Sequence, residues 1–230
     1  MKNIKQEITE EGFLIRQHFY TDQFIDEIIR ELDASTTLQY NKQEVAGSNL
    51  VRSIPFIKDL AHSQPLISLI KQVLGNHAYP LNAFVLDKTQ ENNWGLDWHQ
   101  DLKIAVKQKI ETPGYDNWTS ECGIPHAIPP QEILEKRLSA RIHLDDCFME
   151  NGAMLITPQS HKSGILSDHS AVEKMAGNRS AYCEMKKGGL MLFTPLLLHK
   201  SPYSTSTKSR RILQIDYVGT SLTNGLEWYS

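Results

Sequence analysis

The sequence contains only three cysteines, no long apolar run and no cluster of basic residues. Cys122, Cys147 and Cys183 are odd in number and lack metal-type spacing, which predicts buried free thiols rather than a disulfide framework or a zinc site. No apolar stretch approaches the roughly 20 residues that a membrane helix needs, and the first residues lack a signal-peptide core. We therefore expect a cytoplasmic protein without a membrane partner.

Charge and length narrow the class of protein further. The 24 Lys and Arg residues against 27 Asp and Glu residues give a net charge of -3, and no basic run of the kind that follows a phosphate backbone is present. Nucleic acid is therefore not an expected partner. The 230 residues, of which 40% are hydrophobic, suffice for a single domain spanning residues 1–230.

Residues 1–78 are predicted to be mainly helical. After Thr21, a suitable N-cap, apolar residues recur at helical spacing from Phe24 to Leu32. A second helix is predicted to begin at Pro65 and to end at Gly75, because proline is favoured inside a helix start and glycine just past its end. Packing against a core accounts for both helices.

Residues 79–218 are predicted to form the β core. Short strand-like runs alternate there with segments rich in Gly, Pro, Asn and Ser, which is typical of a sandwich or barrel. The predicted strands are Leu81 to Leu86, Leu96 to His99, Leu138 to Leu144, Ala153 to Ile156, Gly189 to Phe193 and Arg211 to Val218.

A long insertion, about residues 103–137, separates the second and third of these strands. It contains Pro113-Gly114, Trp118 and the pair Pro129-Pro130. Connections of this length are usually functional covers or disordered segments, and the aromatic and proline content favours an ordered lid over a site.

The last predicted strand has one polar and one apolar face. Arg210, Gln214 and Asp216 share the first face, and Leu213 and Ile215 share the second. Two interpretations of this alternation are equally compatible with the pattern. In a simple sandwich the polar face meets water, whereas in a barrel covered by helices the polar face lines a wet cavity.

A candidate metal site comes from His99-Gln100-Asp101 and the distant His199. Two histidines and one carboxylate form the facial triad of mononuclear iron oxygenases, which leaves metal positions open for a cosubstrate and dioxygen. The His-x-Asp pair alone is weak evidence. Nine histidines, each with roughly a 27 in 230 chance of an acidic residue two places on, give about one such pair by accident.

Further blocks give that pair a context. They read NWGLDWHQD (93–101), RIHLDD (141–146) followed by ENGA (150–153), TPQSHKSG (157–164), and LHKS (198–201) followed by Arg210-Arg211. In this order they resemble the phytanoyl-CoA dioxygenase family of iron(II) and 2-oxoglutarate-dependent oxygenases. The lid insertion, with Trp118 and His126, resembles a bacterial branch of that family.

This resemblance implies a mainly β fold with flanking helices: a double-stranded β-helix, or cupin-like jelly roll, with the N-terminal helices packed on one sheet. It implies that His99, Asp101 and His199 bind Fe(II). It also implies that Arg210 and Ser201 bind the distal carboxylate of 2-oxoglutarate. A guanidinium matches a carboxylate bidentately, so an arginine on a polar inward face suits this cosubstrate.

Five other residues are weaker candidates. Trp118 is expected either to stack near the cosubstrate or substrate or to belong to the core. Lys88, Arg141 and His126 are candidates for contact with a substrate anion, against surface or supporting roles. His161 is expected to fix its turn rather than bind metal. In that turn Gln159 replaces the glycine usual in the family, which costs free energy if the position needs a positive φ.

The predicted activity is hydroxylation of a small molecule, coupled to O2 consumption and release of succinate and CO2 from 2-oxoglutarate. Asp101 favours hydroxylation over halogenation, since related halogenases replace this carboxylate with a small residue, while desaturation, epoxidation and ring formation remain open. Two other functions also remain open: a zinc-dependent hydrolase on the same ligands, and a non-catalytic jelly-roll binding protein. A CoA ester, a free metabolite, an amino-acid derivative and a lipid are all possible substrates.

Overall fold

Helices occupy most of the first 75 positions, and strands dominate the rest of the chain. The computed structural model describes residues 3–35, 49–166, 172–173 and 179–230. Its helices are α1 (Ile4–Glu11), α2 (Asp22–Ala34), α3 (Leu50–Ser53), α4 (Pro55–Ala61), α5 (Gln64–Leu74) and α6 (Gln131–Leu134). Its strands are β1 (Phe13–Arg16), β2 (Tyr79–Lys88), β3 (Leu96–His99), β4 (Ile104–Ala105), β5 (Asp116–Glu121), β6 (Ile124–Ile128), β7 (Arg137–His143), β8 (Leu155–Ile156), β9 (Ala181–Tyr182), β10 (Leu190–Phe193), β11 (His199–Ser201) and β12 (Arg210–Val218).

The two helices predicted from periodicity are confirmed. At the start of α2, Thr21 Oγ1 accepts a hydrogen bond from the Phe24 backbone N–H at 3.3 Å, which satisfies an otherwise free amide. Helix α5 carries Pro65 in its first turn and ends at Gly75, whose φ of +93° suits glycine. Both helices turn their apolar side towards the core.

The strands form two larger antiparallel sheets and one small one. The larger sheets have the orders β1-β10-β7-β12-β2 and β3-β11-β8-β9. Apart from the consecutive pair β8 and β9, successive strands from β7 to β12 alternate between these two sheets, as in a double-stranded β-helix. The small sheet, β4-β6-β5, is built from the insertion between β3 and β7.

Helices cover the apolar face of the five-stranded sheet. Leu213, Ile215 and Tyr217 of β12 belong to the same buried cluster as the apolar sides of α2 and α5. The Tyr217 hydroxyl donates a hydrogen bond to the Ala61 carbonyl of α4 at 2.8 Å. The opposite, polar face of β12 lines a cavity. The structure therefore decides between the two interpretations of the alternating strand in favour of an internal polar face.

The insertion folds over this cavity. Ile124, His126 and Ile128 of β6 contribute to the cavity wall. The last residues of the chain hold the small sheet in place, because the Tyr229 backbone N–H donates to the Ala105 carbonyl at 3.1 Å. The Trp228 side chain packs in a buried cluster with this segment.

Two local expectations have different outcomes. Cys147 and Cys183 are buried free thiols, but Cys122 is exposed, because it lies in the tight Cys122-Gly123 turn between β5 and β6 and has a φ of +49°. Gln159 does occupy a left-handed position, with a φ of +67°. Its backbone N–H donates to the Glu11 carbonyl at 2.9 Å, so the unusual turn holds the end of α1.

No helix in the described ranges has the length and apolar character needed to cross a bilayer.

Candidate active site

His99, Asp101 and His199 converge at one point of the cavity. His99 ends β3 and His199 begins β11, and the two are direct partners across this antiparallel pair. Each histidine Nε2 lies 3.7 Å from a different Asp101 carboxylate oxygen. One ligand atom from each residue lies within 4.8 Å of the others. Among the described residues, no other group of His, Cys, Asp and Glu side chains is arranged to hold a metal ion in this way.

Backbone carbonyls orient both histidine rings. His99 Nδ1 lies 2.6 Å from the Asp97 carbonyl oxygen, and His199 Nδ1 lies 2.9 Å from the Leu197 carbonyl oxygen. A carbonyl only accepts, so each Nδ1 must donate its proton and each Nε2 keeps a free lone pair. Both lone pairs are therefore available at the point where the Asp101 carboxylate lies, as metal-ligating histidines require.

The electrostatics of the three side chains also suit a cation. Burial opposes ionisation of Asp101, but His199 and His99 outweigh this and lower its pKa. Burial lowers the pKa of His199 to about 4, although Asp101 acts in the opposite direction. At neutral pH the site thus presents an anionic carboxylate and a neutral His199, which are the protonation states that bind a divalent metal.

Gln100, between the two ligands of the first motif, fastens this loop to remote parts of the chain. Its Nε2 donates to the carbonyls of Gly164 at 2.9 Å and Leu196 at 2.7 Å. Its Oε1 accepts from the Leu166 backbone N–H at 2.9 Å. Motif-based reasoning missed this residue. Its position between two ligands was the available signal, but its partners lie 64 to 96 residues away in sequence.

Replacing Gln100 with Ala is expected to weaken Fe(II) binding about 10- to 100-fold, as is typical when a residue that orients a ligand is lost. Gln100→Glu should be affected similarly, since the carboxylate cannot donate to either carbonyl. Anaerobic competition with a chelator measures the metal affinity. Gln72→Ala, on the exposed side of α5, is the matched control. Unchanged metal affinity in both Gln100 variants would show that the loop is held without this side chain.

The triad opens onto a cavity of about 710 Å³. Its floor is the polar face of β2, β7 and β12, whose residues pair in register. This register divides the residues of the floor into three levels. They are the basic level (Arg210, Lys88), the central level (Gln214, Arg141, Phe84) and the distal level (Asp216, Ser139, Asn82).

The basic level holds two buried basic side chains that are neighbours across β12 and β2. Arg210 is only 1% exposed, and its Nε and Nη2 atoms have no hydrogen-bond partner among the described residues. The neighbouring Lys88 is buried and does not itself line the cavity; its Nζ donates to Ser201 Oγ at 2.9 Å and also to the Pro202 carbonyl. Its ammonium lies 4.3 Å from the centre of the Trp94 ring. Buried donors without acceptors are costly, so this end of the cavity is built to receive an anion.

The central and distal levels are joined by hydrogen bonds. Arg141 Nε donates to Gln214 Oε1 at 2.7 Å, and Gln214 Nε2 donates to Asp216 Oδ1 at 3.0 Å. Ser139 Oγ donates to the same Asp216 oxygen at 2.7 Å. The Arg141 guanidinium also lies over the Phe193 ring. The four hydrogen-bonded residues, but not Phe193, line the same cavity as the triad.

The remaining predicted residues fall in two places. His126 lines the cavity from the lid, with Nδ1 bonded to the Ile124 carbonyl at 2.9 Å. Trp118 does not line the cavity; it packs at the edge of the buried cluster beneath the lid, and the Lys109 ammonium lies over its ring. Trp118 lies on β5, at the edge of the lid sheet, where its contacts match the core role rather than the cosubstrate role of the two that the sequence leaves open.

Comparisons with known proteins agree with this architecture. The ectoine dioxygenase of Streptomyces coelicolor is 22% identical over 170 residues, which cover 69% of this chain and 50% of that protein. HygX from Streptomyces hygroscopicus, solved with nickel, 2-oxoglutarate and hygromycin B, has a TM-score of 0.67 at 16% identity. The match covers 94% of this chain and 86% of the HygX chain. EctD from S. alaskensis, solved with 2-oxoglutarate and 5-hydroxyectoine, has a TM-score of 0.69 at 17% identity. The match covers 92% of this chain and 73% of the EctD chain.

These structural likenesses confirm the predicted jelly roll. The chain spans half or less of the length of the curated relatives that it matches. The sequence model of the family described as phytanoyl-CoA dioxygenase (PhyH) matches residues 9–212, which is most of the chain. This chain therefore belongs to the phytanoyl-CoA dioxygenase family.

Proposed function

We propose that this chain is an Fe(II)- and 2-oxoglutarate-dependent oxygenase that hydroxylates a small molecule and releases succinate and CO2. One observation carries the proposal. The cavity that holds the His99, Asp101 and His199 ligands also holds, at its basic level, a buried Arg210 whose Nε and Nη2 atoms lack acceptors. A metal site alone would not need that guanidinium, whereas a dicarboxylate that chelates the metal at one end does.

The residues present fit both the metal and the cosubstrate. His99, Asp101 and His199 would hold Fe(II), a ligand set that leaves positions for 2-oxoglutarate and O2. Arg210 and Ser201 would hold the distal carboxylate of 2-oxoglutarate. When bound, the iron and 2-oxoglutarate supply the oxidising chemistry: 2-oxoglutarate, O2 and a substrate C–H bond give succinate, CO2 and a C–OH bond.

The chain's own residues then orient the reactants and control the environment. Asp97 and Leu197 fix the tautomers of the two histidines through their carbonyls. The lid strand β6 places the apolar side chains of Ile124 and Ile128 on the cavity wall, which reduces contact between water and the reacting groups. Relatives support this proposal, since HygX and EctD were solved with 2-oxoglutarate bound.

The direct test is anaerobic titration of the purified protein with Fe(II) and 2-oxoglutarate, followed by measurement of oxygen uptake and succinate. We expect 2-oxoglutarate to bind only when a divalent metal is present, and slow succinate release to begin when oxygen is admitted. Zinc-supported hydrolysis without 2-oxoglutarate binding would instead favour the hydrolase alternative. Absence of both activities would favour a binding protein.

The affinity for 2-oxoglutarate is expected to fall as the pH rises from 7 to 9. Burial, followed by the nearby Arg210, lowers the pKa of Lys88 to about 7, so its ammonium is charged below this pH and neutral above it. A dicarboxylate held beside Lys88 favours the charged form. Binding above pH 7 therefore takes up a proton, and the dissociation constant rises by up to about tenfold per pH unit.

Titration calorimetry in two buffers of different ionisation enthalpy measures both the affinity and the proton uptake. Lys88→Met should remove the uptake and flatten the pH dependence, whereas Lys71→Gln, on α5, should retain both. A Lys88→Met protein with the wild-type slope would assign the pH dependence to another group.

A further inference from the structure

The floor of the cavity carries a positive and a negative charge separated by one amide. Arg141, Gln214, Asp216 and Ser139 form a continuous hydrogen-bonded chain, which we call the polar chain. The orientation of the Gln214 amide is fixed at both ends, because the guanidinium can only donate and the Asp216 carboxylate accepts from Ser139 as well. This arrangement keeps the two charges from meeting in a direct ion pair.

The polar chain has polar atoms near both ends that are available to a ligand. Within the described ranges, no residue accepts a hydrogen bond from Arg141 Nη2, and none donates to Asp216 Oδ2. The Asn82 side chain lies opposite Asp216 in register, and its Oδ1 is buried without a partner. The distal level therefore offers two acceptors to the cavity, and the central level offers a donor.

The position of the polar chain places it beyond the cosubstrate. Asp216 follows Arg210 by six residues on the same strand, which is about 20 Å of extended chain. A 2-oxoglutarate molecule that runs from Arg210 to the triad does not reach this far. The centre of the Phe193 ring lies 4.9 Å from the Arg141 guanidinium and 5.5 Å from the centre of the His199 ring, so the central level adjoins the metal ligands. The polar chain thus lies where a substrate would meet the metal centre.

We propose that the polar chain binds a small zwitterion, a free amino acid, with its carboxylate at Arg141 and its ammonium at Asp216 and Asn82. This inference rests on the proposed oxygenase function and names the substrate class of the same site. Carboxylate and guanidinium form a charge-assisted pair, and a carboxylate with an amide oxygen matches the donors of an ammonium group.

The separated charges of the polar chain favour a zwitterion over an ion of one sign. Lys103 and Glu121 of the lid lie 3.3 Å apart and compensate each other. Arg137, a further cation on the cavity wall, donates to the Lys103 carbonyl, and its charge acts on Asp216 without outweighing the burial of that carboxyl group. A substrate with only a carboxylate would place that charge close to Asp216, and one with only an amine would place its charge close to Arg141. Burial raises the pKa of Asp216, and an adjacent ammonium would favour its ionised form. A neutral zwitterion satisfies both ends of the chain.

The test uses the full chain with Fe(II) and 2-oxoglutarate. The probes are the standard free amino acids. Each is tested beside two truncated counterparts: the amine without the carboxylate and the acid without the amino group. At least one free amino acid should raise succinate release about tenfold or more over turnover without substrate, and neither truncated counterpart should do so. A thermal shift of the anaerobic Ni(II) and 2-oxoglutarate complex by the same amino acid gives a second readout.

Two substitutions then test the geometry. Asp216→Asn should raise KM for the amino acid about 10- to 100-fold and should improve the response to the truncated acid relative to wild type. Arg141→Gln should also raise KM for the amino acid, and it should improve the response to the truncated amine relative to wild type. Lys71→Gln on α5 is the control. Binding of 2-oxoglutarate is measured in all three proteins, and the Lys71→Gln control should match the wild type.

The outcomes distinguish a failure of the oxygenase function from a failure of the zwitterion inference. Loss of metal-dependent 2-oxoglutarate binding in the wild-type protein would overturn the oxygenase function itself. Normal 2-oxoglutarate binding with no response to any free amino acid would overturn the zwitterion inference alone. An unchanged KM in Asp216→Asn, or stimulation by CoA esters or sugars in place of amino acids, would also overturn it.

Discussion

Replacing Asp101 with Ala is expected to abolish substrate-coupled succinate formation, with a loss of at least about 100-fold. The substitution removes the only carboxylate among the three proposed ligands and leaves two neutral histidines facing a divalent cation. The loss should therefore exceed the 10- to 100-fold cost of removing a residue that merely orients a ligand. Succinate release and Fe(II) affinity, measured on the same preparation, should fall together.

Asp116→Ala, on the exposed strand β5 of the lid, serves as the control for loss of one surface carboxylate. The folding of Asp101→Ala is checked by its thermal unfolding without metal, which should stay near that of the wild type. Turnover at the wild-type rate in Asp101→Ala would remove this residue from the metal site and leave the triad without its anion.

The strands and main helices were predictable because their signals are local. The alternation of polar and apolar residues along β12 gave its two faces correctly. The alternation could not say which face met water, because that depends on where α4 and α5 pack. The hydrogen bond from Tyr217 to the Ala61 carbonyl, 156 residues away in sequence, shows how this is decided by tertiary contacts.

The candidate site likewise has a part that local sequence signals predict and a part that depends on tertiary contacts. The triad was predicted from short motifs, because iron chemistry demands particular residue types at fixed local spacing. Gln100 and the polar chain were not, because their roles come from pairing between remote strands. Arg141 and Gln214 lie 73 residues apart, and only the register of β7 with β12 makes them neighbours. The sequence left the role of Trp118 open, since an aromatic residue in a lid looks the same in sequence whether it faces the cavity or its own cluster.

Replacing Arg210 with Met is expected to raise KM for 2-oxoglutarate by at least about 100-fold. Removing one partner of a buried, hydrogen-bonded charge pair is among the most costly substitutions in a binding site, because the other charge is left without compensation. Arg210→Lys should also be impaired, since an ammonium cannot reproduce the planar fork that matches a carboxylate. The neighbouring Arg211 provides the control. It lies on the other face of β12 and pairs with Asp145 at 2.9 Å, so Arg211→Gln should leave KM for 2-oxoglutarate unchanged.

The same Arg210→Met protein should be as stable as the wild type, or more stable, when no 2-oxoglutarate is present. A buried guanidinium with two unpartnered nitrogens, beside a second cation, lowers the free energy of unfolding of the free protein. Saturating 2-oxoglutarate with Ni(II) should stabilise the wild type by about 2.7 kcal/mol at 100 times the dissociation constant, and should stabilise the variant much less. A residue needed only for folding would show the opposite order, with a less stable free variant that still gains stability from the ligand. Thermal unfolding with and without 2-oxoglutarate therefore separates an arginine kept for cosubstrate binding from one kept for the fold.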